Sequence, residues 1–432
     1  MKCRLVKGDK DNLNELTDLL GARGKMDLGP IIDKVTVIID DIKKNGDEAV
    51  LKYTKRFDKA ELTAEGMKVT QKEIDDAMAT IDPALLEVIK KAADNIRTFH
   101  EKQKEEGFMM ETGKGAEVGV RVRPISVAGV YVPGGTAPLP STVLMDVIPA
   151  SVAGVPRIVF CTPPRADGTI APVILAAATI AGATEIYKVG GSQAVAAMAY
   201  GTETIPRVDK ICGPGNIYVN TAKRLVFGQV DIDMFAGPSE ILIIADGTTD
   251  PEFAAADMLS QAEHDKIASA ILVTTSEDFA NKVLEAVDRR SEEASRKEIL
   301  AESLANYASI IVCDDIDTAI AFSEKIAPEH LELLVEDADA VLDKIKNAGA
   351  VFVGPWSPEP LGDYFAGPNH TLPTSGTARF FSPLNTGDFY KKMSVIRYNE
   401  ESLREVYKDV AAFADSEGLT CHAESVRVRF ED

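Results

Sequence analysis

From about residue 117, short apolar runs alternate with longer stretches that have the periodicity of helices. Apolar runs of this kind between turn signals are typical of strands that are buried on both faces of a parallel sheet. The first set of predicted strands is 127–132, 157–161, 185–189 and 208–212. The helices predicted between and after these strands are 141–154, 171–182, 193–200 and 216–227. The pattern predicts an α/β unit in which helices cover both faces of a parallel sheet.

The same alternation then starts again. The second set of predicted strands is 240–245, 268–274, 308–313 and 350–353. The helices that accompany these strands are predicted at 250–264, 277–289 and 316–325. The chain is therefore predicted to contain two consecutive α/β units, although no residue-level repeat relates them.

The two ends of the chain have different patterns. Residues 31–57 and 71–104 are charged and amphipathic, which is typical of helices that pack on one face. A strand is predicted near 394–397, with helical sequence beyond Glu400. We divide the chain into a mainly helical region, two α/β units and a C-terminal segment, with bounds 1–116, 117–238, 239–379 and 380–432.

Charge and cysteine content narrow the class of protein. The chain has 432 residues, with 47 basic against 68 acidic side chains and a net charge of −21. Such a surface repels phosphate backbones and anionic lipid, so nucleic-acid and membrane partners are not expected. The first residues contain no apolar segment of the signal-peptide type. The five cysteines are an odd number without CxxC spacing, which predicts reduced thiols in a cytoplasmic protein.

Glycine-rich turns adjoin several of the predicted strands, at 133–135, 190–192, 213–216 and 237–239. Backbone N–H groups at the turns after such strands can bind phosphate groups. None of the turns has the GxGxxG spacing, however, and a tight turn between a strand and a helix explains each one equally well. Spacing alone therefore leaves a dinucleotide site open.

The chain has only five histidines. His100 falls in a charged amphipathic helix and is predicted to be a surface residue. The other four occupy turn-rich or acidic stretches, where each alone is most simply a hydrogen-bonded histidine. Together with neighbouring carboxylates they form a candidate metal and acid–base set, which is His264, His330, His370 and His422.

Gln261 and His264 are three residues apart at the end of a predicted helix. That spacing places both side chains on one face, where an amide oxygen and an imidazole nitrogen can bind one ion. Imidazole with carboxylate suits zinc. Glutamine is an uncommon ligand, so a structural role for Gln261 is an equally simple interpretation.

Glu329 and His330 follow Pro328, and the pattern predicts that they lie in the first turn of a helix. The helix dipole would there lower the pKa of both side chains, favouring ionised Glu329 and neutral His330. Those are the forms that general bases need. The simpler interpretation is a solvated glutamate that stabilises a helix start.

Nine short blocks resemble the histidinol dehydrogenases in their order and spacing. The blocks are 129–135, 190–193, 213–216, 237–240, 261–264, 327–331, 362–364, 369–373 and 417–422. The resemblance covers nearly the whole chain. It implies a fold similar to the aldehyde dehydrogenases, with two Rossmann-like, doubly wound α/β units, a helical N-terminal segment and a small C-terminal one.

The resemblance also implies an activity and a site. Family members oxidise L-histidinol to L-histidine in two steps through the aldehyde, using two NAD and one zinc per site. NAD contacts are implied at Tyr131, Gln193 and Asn216. Zinc ligands are implied at Gln261, His264, Asp363 and His422. Substrate contacts are implied at Ser239, Gln261, His264, His330, Asp363, Glu417 and His422. The bases would be Glu329 and His330, and family members are homodimers in which Glu417 and His422 complete the partner's site.

The implied mechanism gives each group a role. Zinc orients the substrate, His330 takes the hydroxyl proton, and Glu329 activates the water that hydrates the aldehyde. No cysteine is needed, so Cys161, Cys212 and Cys421 are expected to be packing residues.

Three alternatives stay open. A related enzyme would oxidise another small polar alcohol. A zinc hydrolase would use the same metal and glutamate but would not bind NAD. A non-catalytic binding protein would leave the acid–base pair without a role.

Overall fold

The computed structural model describes residues 3–9, 13–14, 28–134, 138–235 and 237–431. The N-terminal region contains strand β1 (Arg4–Lys7) and helices α1 (Gly29–Phe57), α2 (Ala64–Met67), α3 (Gln71–Thr80) and α4 (Pro83–Glu101). The helix predicted at 31–57 is confirmed as α1. The one predicted at 71–104 is divided in two, because Asp82 caps a new helix whose first residue is Pro83.

The prediction that His100 is a surface residue is wrong. Its side chain is fully buried near the end of α4, and its Nδ1 atom lies 2.6 Å from Oε1 of Gln103. Helix α4 packs with one face against the helices of the first α/β unit, and the side-chain amide nitrogen of Asn369 lies 3.4 Å from Nε2 of His100. The charge pattern of a helix does not show which of its polar positions will be covered by a neighbour.

Strands β2 (Phe108–Gly113) and β3 (Ala116–Pro124) form an antiparallel hairpin that the sequence pattern did not predict. Every residue of β2 is exposed, so the strand lacks the alternation of apolar and polar positions that marks a half-buried strand. The hairpin receives a third strand from the C-terminal part of the chain, described below.

The first α/β unit follows the predicted alternation closely. Its strands are β4 (Val127–Tyr131), β5 (Arg157–Thr162), β6 (Glu185–Lys188), β7 (Lys210–Cys212) and β8 (Asp231–Ile232). Its helices are α5 (Pro140–Ala153), α6 (Pro172–Ala181), α7 (Gly191–Tyr200) and α8 (Ile217–Val226). All strand pairs are parallel, in the order β6-β5-β4-β7-β8. Two apolar clusters fill the two sides of this sheet, as its Val- and Ile-rich strands require.

The second unit repeats the arrangement. Its strands are β9 (Glu240–Ala245), β10 (Ser269–Thr274), β11 (Ser309–Val312), β12 (His330–Leu334) and β13 (Ala350–Val353). Its helices are α9 (Pro251–Ala262), α10 (Glu277–Glu293), α11 (Lys297–Tyr307), α12 (Ile316–Ile326), α13 (Ala338–Leu342) and α14 (Glu359–Tyr364). The parallel sheet has the order β1-β11-β10-β9-β12-β13, so the N-terminal strand extends its edge. In both sheets the first strand of the unit lies between the second and the fourth, which is the doubly wound arrangement that was predicted.

The prediction that Glu329 and His330 start a helix is wrong. Helix α12 ends at Ile326, the next residue, Ala327, has a left-handed φ of 51°, and the chain then enters β12 at His330. There it pairs with β9 on one side and β13 on the other. Burial of Leu331, Leu333 and Leu334 in the sheet therefore outweighs the local helix-start signal of Pro328.

The C-terminal part contains β14 (Tyr390–Tyr398), α15 (Glu400–Ser416) and α16 (Thr420–Arg427). The strand predicted near 394–397 is confirmed as part of β14, which pairs antiparallel with β3. The helical sequence predicted beyond Glu400 is confirmed as α15 and α16, which pack against each other. Among the described residues, no helix combines the length and apolar character that crossing a membrane requires.

Candidate active site

The candidate site lies at the amino ends of the strands of the second sheet. Glu329 immediately precedes β12, and its Oε2 atom accepts two hydrogen bonds, from the Ser239 hydroxyl at 2.7 Å and from the backbone N–H of Glu240 at 2.9 Å. The side-chain amide of Gln261 donates to the same Ser239 hydroxyl. Gln261, Ser239 and Glu329 are therefore joined in one hydrogen-bonded chain, and three of the residues identified from sequence meet there.

Burial sets the protonation of the acid–base pair. Glu329 is only 7% exposed, and its desolvation raises its pKa well above the usual value, although the bonds from Ser239 and Glu240 oppose the rise. Desolvation also lowers the pKa of His330, to about 4. The expectation of a neutral His330 therefore agrees with the structure for a different reason. The expected lowering of the Glu329 pKa by a helix dipole is wrong, because no helix begins there.

The two ring nitrogens of His330 have different surroundings. The Nδ1 atom lies 3.0 Å from the carbonyl oxygen of Glu240, which can only accept a hydrogen bond, so Nδ1 carries the proton of the neutral ring. The buried Nε2 atom has no hydrogen-bond partner among the described residues. It lies 3.8 Å from Oε1 of Glu359 and 4.0 Å from Oδ1 of Asp363. The free lone pair of His330 therefore faces an acidic group of side chains.

That group is a candidate metal centre. One possible ligand atom from each of His264, Glu359 and Asp363 lies within 4.8 Å of the other two. The Oε1 atom of Gln261, which is fully buried, has no hydrogen-bond partner among the residues described. Imidazole nitrogen with carboxylate and amide oxygen is a donor set that fits zinc. His264 and Asp363 are thus brought together as the sequence implied.

His370 supports Asp363 from behind. Its Nδ1 atom lies 3.0 Å from the carbonyl oxygen of Asp363 and 3.5 Å from the Oδ1 atom of that residue. Burial alone would raise the pKa of Asp363, but the hydrogen bond and charge of His370 outweigh it and lower that pKa. Burial opposes protonation of His370, while Asp363 raises its pKa overall. The contact therefore favours the carboxylate form of Asp363 and the imidazolium form of His370.

The residues with an implied NAD role lie at the carboxyl ends of the strands of the first sheet. Tyr131 ends β4, and its buried hydroxyl accepts a hydrogen bond from the N–H of Gly191 at 3.1 Å. Gln193 in α7 is fully buried, and neither end of its amide has a hydrogen-bond partner among the described residues. Asn216 is exposed and caps α8 by accepting from Tyr218 and Val219. The unpartnered amide of Gln193 fits a site for a polar ligand. The last glycine of the turn 133–135, Gly135, lies outside the described residues.

The structure of the single chain does not bring Glu417 and His422 to this group. Glu417 caps the C-terminal end of α15, His422 lies on α16, and both are exposed. Within the chain, helix α16 packs chiefly against α15. Any role of these two residues in a site like this one therefore requires another copy of the chain.

Sequence reasoning missed three buried acidic residues around the site. Glu359 is 1% exposed, Glu332 is 1% exposed and Asp257 is 8% exposed. The backbone N–H of Glu359 donates to Oε1 of Glu332 at 2.8 Å. A sequence signal was present for Glu359. It lies four residues before Asp363 and directly after Pro358, a spacing that places the two carboxylates on one helix face.

Cys161 and Cys212 are packing residues as expected, whereas the expectation that Cys421 packs is wrong for the single chain, because its side chain is exposed. Cys161 and Cys212 are fully buried, and desolvation raises the pKa of each thiol. Cys421 is exposed on α16. A thiolate nucleophile needs a lowered pKa and access to substrate, and neither buried thiol has these properties.

A cavity of about 560 Å³ is bordered by His330 of the acid–base pair and by Asp363 of the metal group. Its wall includes His330, Phe352, Asp363, His370, Leu384 and Asn385. This volume and this mixture of apolar and polar side chains suit a small polar substrate. The base nitrogen, the candidate metal ligands and a substrate-sized space therefore occur together.

Comparison with known proteins shows the family to which the chain belongs. The histidinol dehydrogenase family model matches residues 22–430. Histidinol dehydrogenase of Clostridium acetobutylicum is 52% identical over 401 residues, covering 93% of each chain. That of Bacillus subtilis is 51% identical over 431 residues, covering 99% of each. The crystal structure of histidinol dehydrogenase from Elizabethkingia anophelis is 42% identical with a TM-score of 0.93, covering 99% of this chain and 98% of that one. The chain therefore belongs to the histidinol dehydrogenase family of oxidoreductases.

Proposed function

We propose that the chain oxidises L-histidinol to L-histidine in two NAD-dependent steps through the aldehyde, the last step of histidine biosynthesis. The observation that carries the proposal is the placement of His330. Its unprotonated Nε2 atom faces the group of His264, Glu359 and Asp363, beside a cavity of suitable size. A cytoplasmic location is part of the proposal, and the five unpaired cysteines support it.

Zinc is the proposed metal, one per site, with Gln261, His264, Asp363 and His422 as ligands. The chemistry that zinc supplies when bound is orientation of the substrate's amino and imidazole nitrogens, which fixes the carbinol carbon in place. Gln261 suits this role because its amide N–H is already bonded to Ser239, which leaves the carbonyl oxygen available.

NAD is the proposed hydride acceptor, with contacts to Tyr131, Gln193 and Asn216. These residues lie on the edge of the first sheet where doubly wound sheets bind their ligands. Gln193 supports the assignment most directly, because a buried amide without partners is costly unless a ligand completes its hydrogen bonds.

His330 acts as the base in the first step. Its Nε2 atom takes the substrate's hydroxyl proton while the hydride leaves the same carbon for NAD. The carbonyl oxygen of Glu240 fixes the ring by accepting from Nδ1, and this contact becomes stronger when the ring gains a positive charge.

Glu329 acts in the second step. A water oxygen adds to the aldehyde carbon while one proton of that water passes to the Glu329 carboxylate and the proton gained by His330 in the first step passes to the aldehyde oxygen, which gives the hydrated aldehyde and a neutral His330. The hydrated aldehyde then loses a hydride to a second NAD and a hydroxyl proton to His330, which gives the carboxylic acid. Ser239 and the Glu240 N–H position the carboxylate that receives the water's proton.

A homodimer with shared sites is also proposed, in which Glu417 and His422 complete the partner's site and Glu417 and Ser239 contact substrate. The exposure of both C-terminal residues on a single chain supports this.

Mixing the variants Glu329→Gln and His422→Asn under conditions of subunit exchange tests the shared sites. Hybrid dimers with shared sites regain one intact site. The rate of aldehyde oxidation, which each variant alone lacks, should therefore recover to about a quarter of the wild-type value. No recovery, with exchange verified, would place each site within one chain.

The experiment that tests the activity is NADH production from L-histidinol by the purified protein, before and after chelation and zinc re-addition. The expected result is chelator-sensitive turnover with two NADH per histidinol. Turnover of other small polar alcohols but not histidinol would withdraw the substrate assignment. Absence of NAD binding in folded, zinc-loaded protein would instead favour the hydrolase alternative.

A further inference from the structure

Glu359 has the least satisfied carboxylate in the neighbourhood of the site. The residue is 1% exposed, and its Oε1 atom has no hydrogen-bond partner among the described residues. Its Oε2 atom receives a long bond from the Ser260 hydroxyl, at 3.4 Å, and its carboxyl group otherwise lies against that of Asp363, which is itself acidic. No lysine or arginine in the described part of the chain forms a salt bridge with it. A buried carboxylate in this condition requires a proton or a cation for neutralisation.

The carboxylate of Asp363 strengthens the need for a proton or a cation beside Glu359. Glu359 and Asp363 lie four residues apart on α14, so their carboxyl groups face the same side of that helix. One oxygen of each of these carboxyl groups and one ring nitrogen of His264 lie within 4.8 Å of one another. Two facing carboxylates are stable together when they share a proton or bind one cation.

The position of Glu359 is fixed by its backbone rather than by its own side chain. The N–H of Glu359 donates to Oε1 of Glu332 at 2.8 Å. Glu332 points to the same face of β12 as His330, because side chains two residues apart in a strand share a face. The carboxyl group of Glu332 also faces that of Asp257 on α9. Strand β12 and helix α14 therefore hold Glu359 in place while one of its oxygens is left for a ligand.

We infer that Glu359 is a metal ligand of this site, binding the same divalent cation as His264 and Asp363 in the chain without substrate. The inference rests on the proposed metal site and adds to it a ligand that the sequence resemblance does not assign. It gives the single chain two carboxylates, one imidazole and the amide oxygen of Gln261 before any residue of a second chain is involved. The exposure of His264 leaves a route by which the ion enters.

The variant Glu359→Gln distinguishes between the two ways of neutralising the carboxylates, a bound cation and a shared proton. The glutamine has the same shape and donates an N–H to Asp363, so it replaces a protonated Glu359 but removes a negative ligand. We expect the affinity for zinc, measured on substrate-free protein by competition with a chromophoric chelator, to fall by about 10–100-fold. The visible absorption spectrum of the cobalt-loaded protein should change as well, since it reports the ligands directly. Unchanged affinity and an unchanged cobalt spectrum would show that Glu359 only shares a proton.

Two further variants keep the interpretation clear. Glu332→Gln removes a buried acid from the same neighbourhood while its amide oxygen still accepts from Glu359, so zinc affinity should stay within about 3-fold of wild type. An equal loss in this variant would trace the effect to local charge and overturn direct ligation. Asp363→Asn tests the proposed site itself. If Asp363→Asn keeps full affinity, the metal site as a whole is misplaced, whereas loss there with retention in Glu359→Gln overturns only the role of Glu359.

Discussion

Lys223 and Asp233 form a salt bridge in which each side chain is only 1% exposed. The same two residues hold both polar groups of Gly213, since Nζ of Lys223 donates to its carbonyl oxygen at 2.9 Å and Oδ2 of Asp233 accepts from its N–H at 2.8 Å. Gly213 has a left-handed φ of 114°, and a Cβ atom there would lie 2.0 Å from the carbonyl oxygen of Tyr131. The ion pair therefore fixes the turn that leads to Asn216.

Lys223→Met should destabilise the protein strongly, because it leaves the carboxylate of Asp233 buried without its cation. The free energy of unfolding should fall by about 3–5 kcal/mol in urea denaturation. In the double variant Lys223→Met/Asp233→Asn, the uncompensated charge is gone and the amide oxygen still accepts from Gly213. The double variant should therefore be more stable than the single one. A double variant as unstable as Lys223→Met would mean that the pair contributes through packing alone.

His330 should make stability depend on pH in a defined window. Its pKa in the folded chain, about 4, is below the ordinary value of 6.5 because burial disfavours the charged ring. Between these values the unfolded chain binds a proton that the folded chain does not, so stability is full above pH 6.5 and decreases as the pH falls towards 4. The loss from this residue should be of the order of 3 kcal/mol. Urea titrations of metal-free wild type and His330→Asn should show a shallower pH dependence for the variant, and parallel curves would contradict the prediction.

Glu329→Gln should impair aldehyde oxidation more than alcohol oxidation. The glutamine carbonyl still accepts from Ser239 and Glu240, so the site keeps its geometry but cannot take a proton from water. We expect the second step, started from the aldehyde, to slow by about 10²–10⁴-fold, with a much smaller effect on the first step. Single-turnover NADH formation resolves the two steps. Equal slowing of both would remove the assigned role.

The raised pKa of Glu329 gives the second step its own pH dependence. Only the ionised carboxylate accepts a proton from water, so the aldehyde step of the wild type should accelerate as the pH rises through a range well above the usual pKa of a glutamate. The Glu329→Gln variant is the matched control and should lack that acceleration. A rate profile of the same shape in both proteins would assign the ionisation to another group.

The cysteines should be dispensable for turnover. Cys212 is fully buried, with its Sγ atom 3.5 Å from the carbonyl oxygen of Gly129, and Cys421 is exposed on α16. Cys212→Ala should reduce stability by about 1 kcal/mol through a small cavity, and Cys421→Ala should change little. Both variants should retain turnover, measured as the rate of NADH formation from L-histidinol. Complete loss in either, with the fold intact, would reopen a mechanism with a thiohemiacetal intermediate.

The sequence predicted those parts of the fold whose signal is local. The strands of both parallel sheets are continuous Val- and Ile-rich runs, and their pattern shows burial on both faces directly. Strand β12 was misassigned because Pro328 is a helix-start signal, while the pairing with β9 and β13 that decides the structure is a long-range contact. Strand β2 was missed because all its residues are exposed, so that no apolar alternation marks it.

The candidate site was predicted in the same uneven way. The histidines and their neighbours stand out by rarity and motif, and the structure brings His264, His330 and Asp363 together. The environment of each group could not be predicted, because burial and not sequence position determines the pKa values of Glu329 and His330. Glu359 and Glu332 were missed for the same reason. A glutamate is ordinary in a sequence of this composition and becomes informative only when its carboxylate is enclosed.

The use of opposite edges by the two sheets has an electrostatic consequence. The proposed dinucleotide edge of the first sheet receives the N-terminal ends of α7 and α8, where the helix dipole places partial positive charge. The amino edge of the second sheet receives the C-terminal ends of α9, next to Gln261, and of α12, shortly before Glu329. Those ends carry partial negative charge. Two units of equal strand order thus provide one edge with partial positive charge and another with partial negative charge, so the same topology would suit both the diphosphate of the proposed cofactor and the proposed divalent cation.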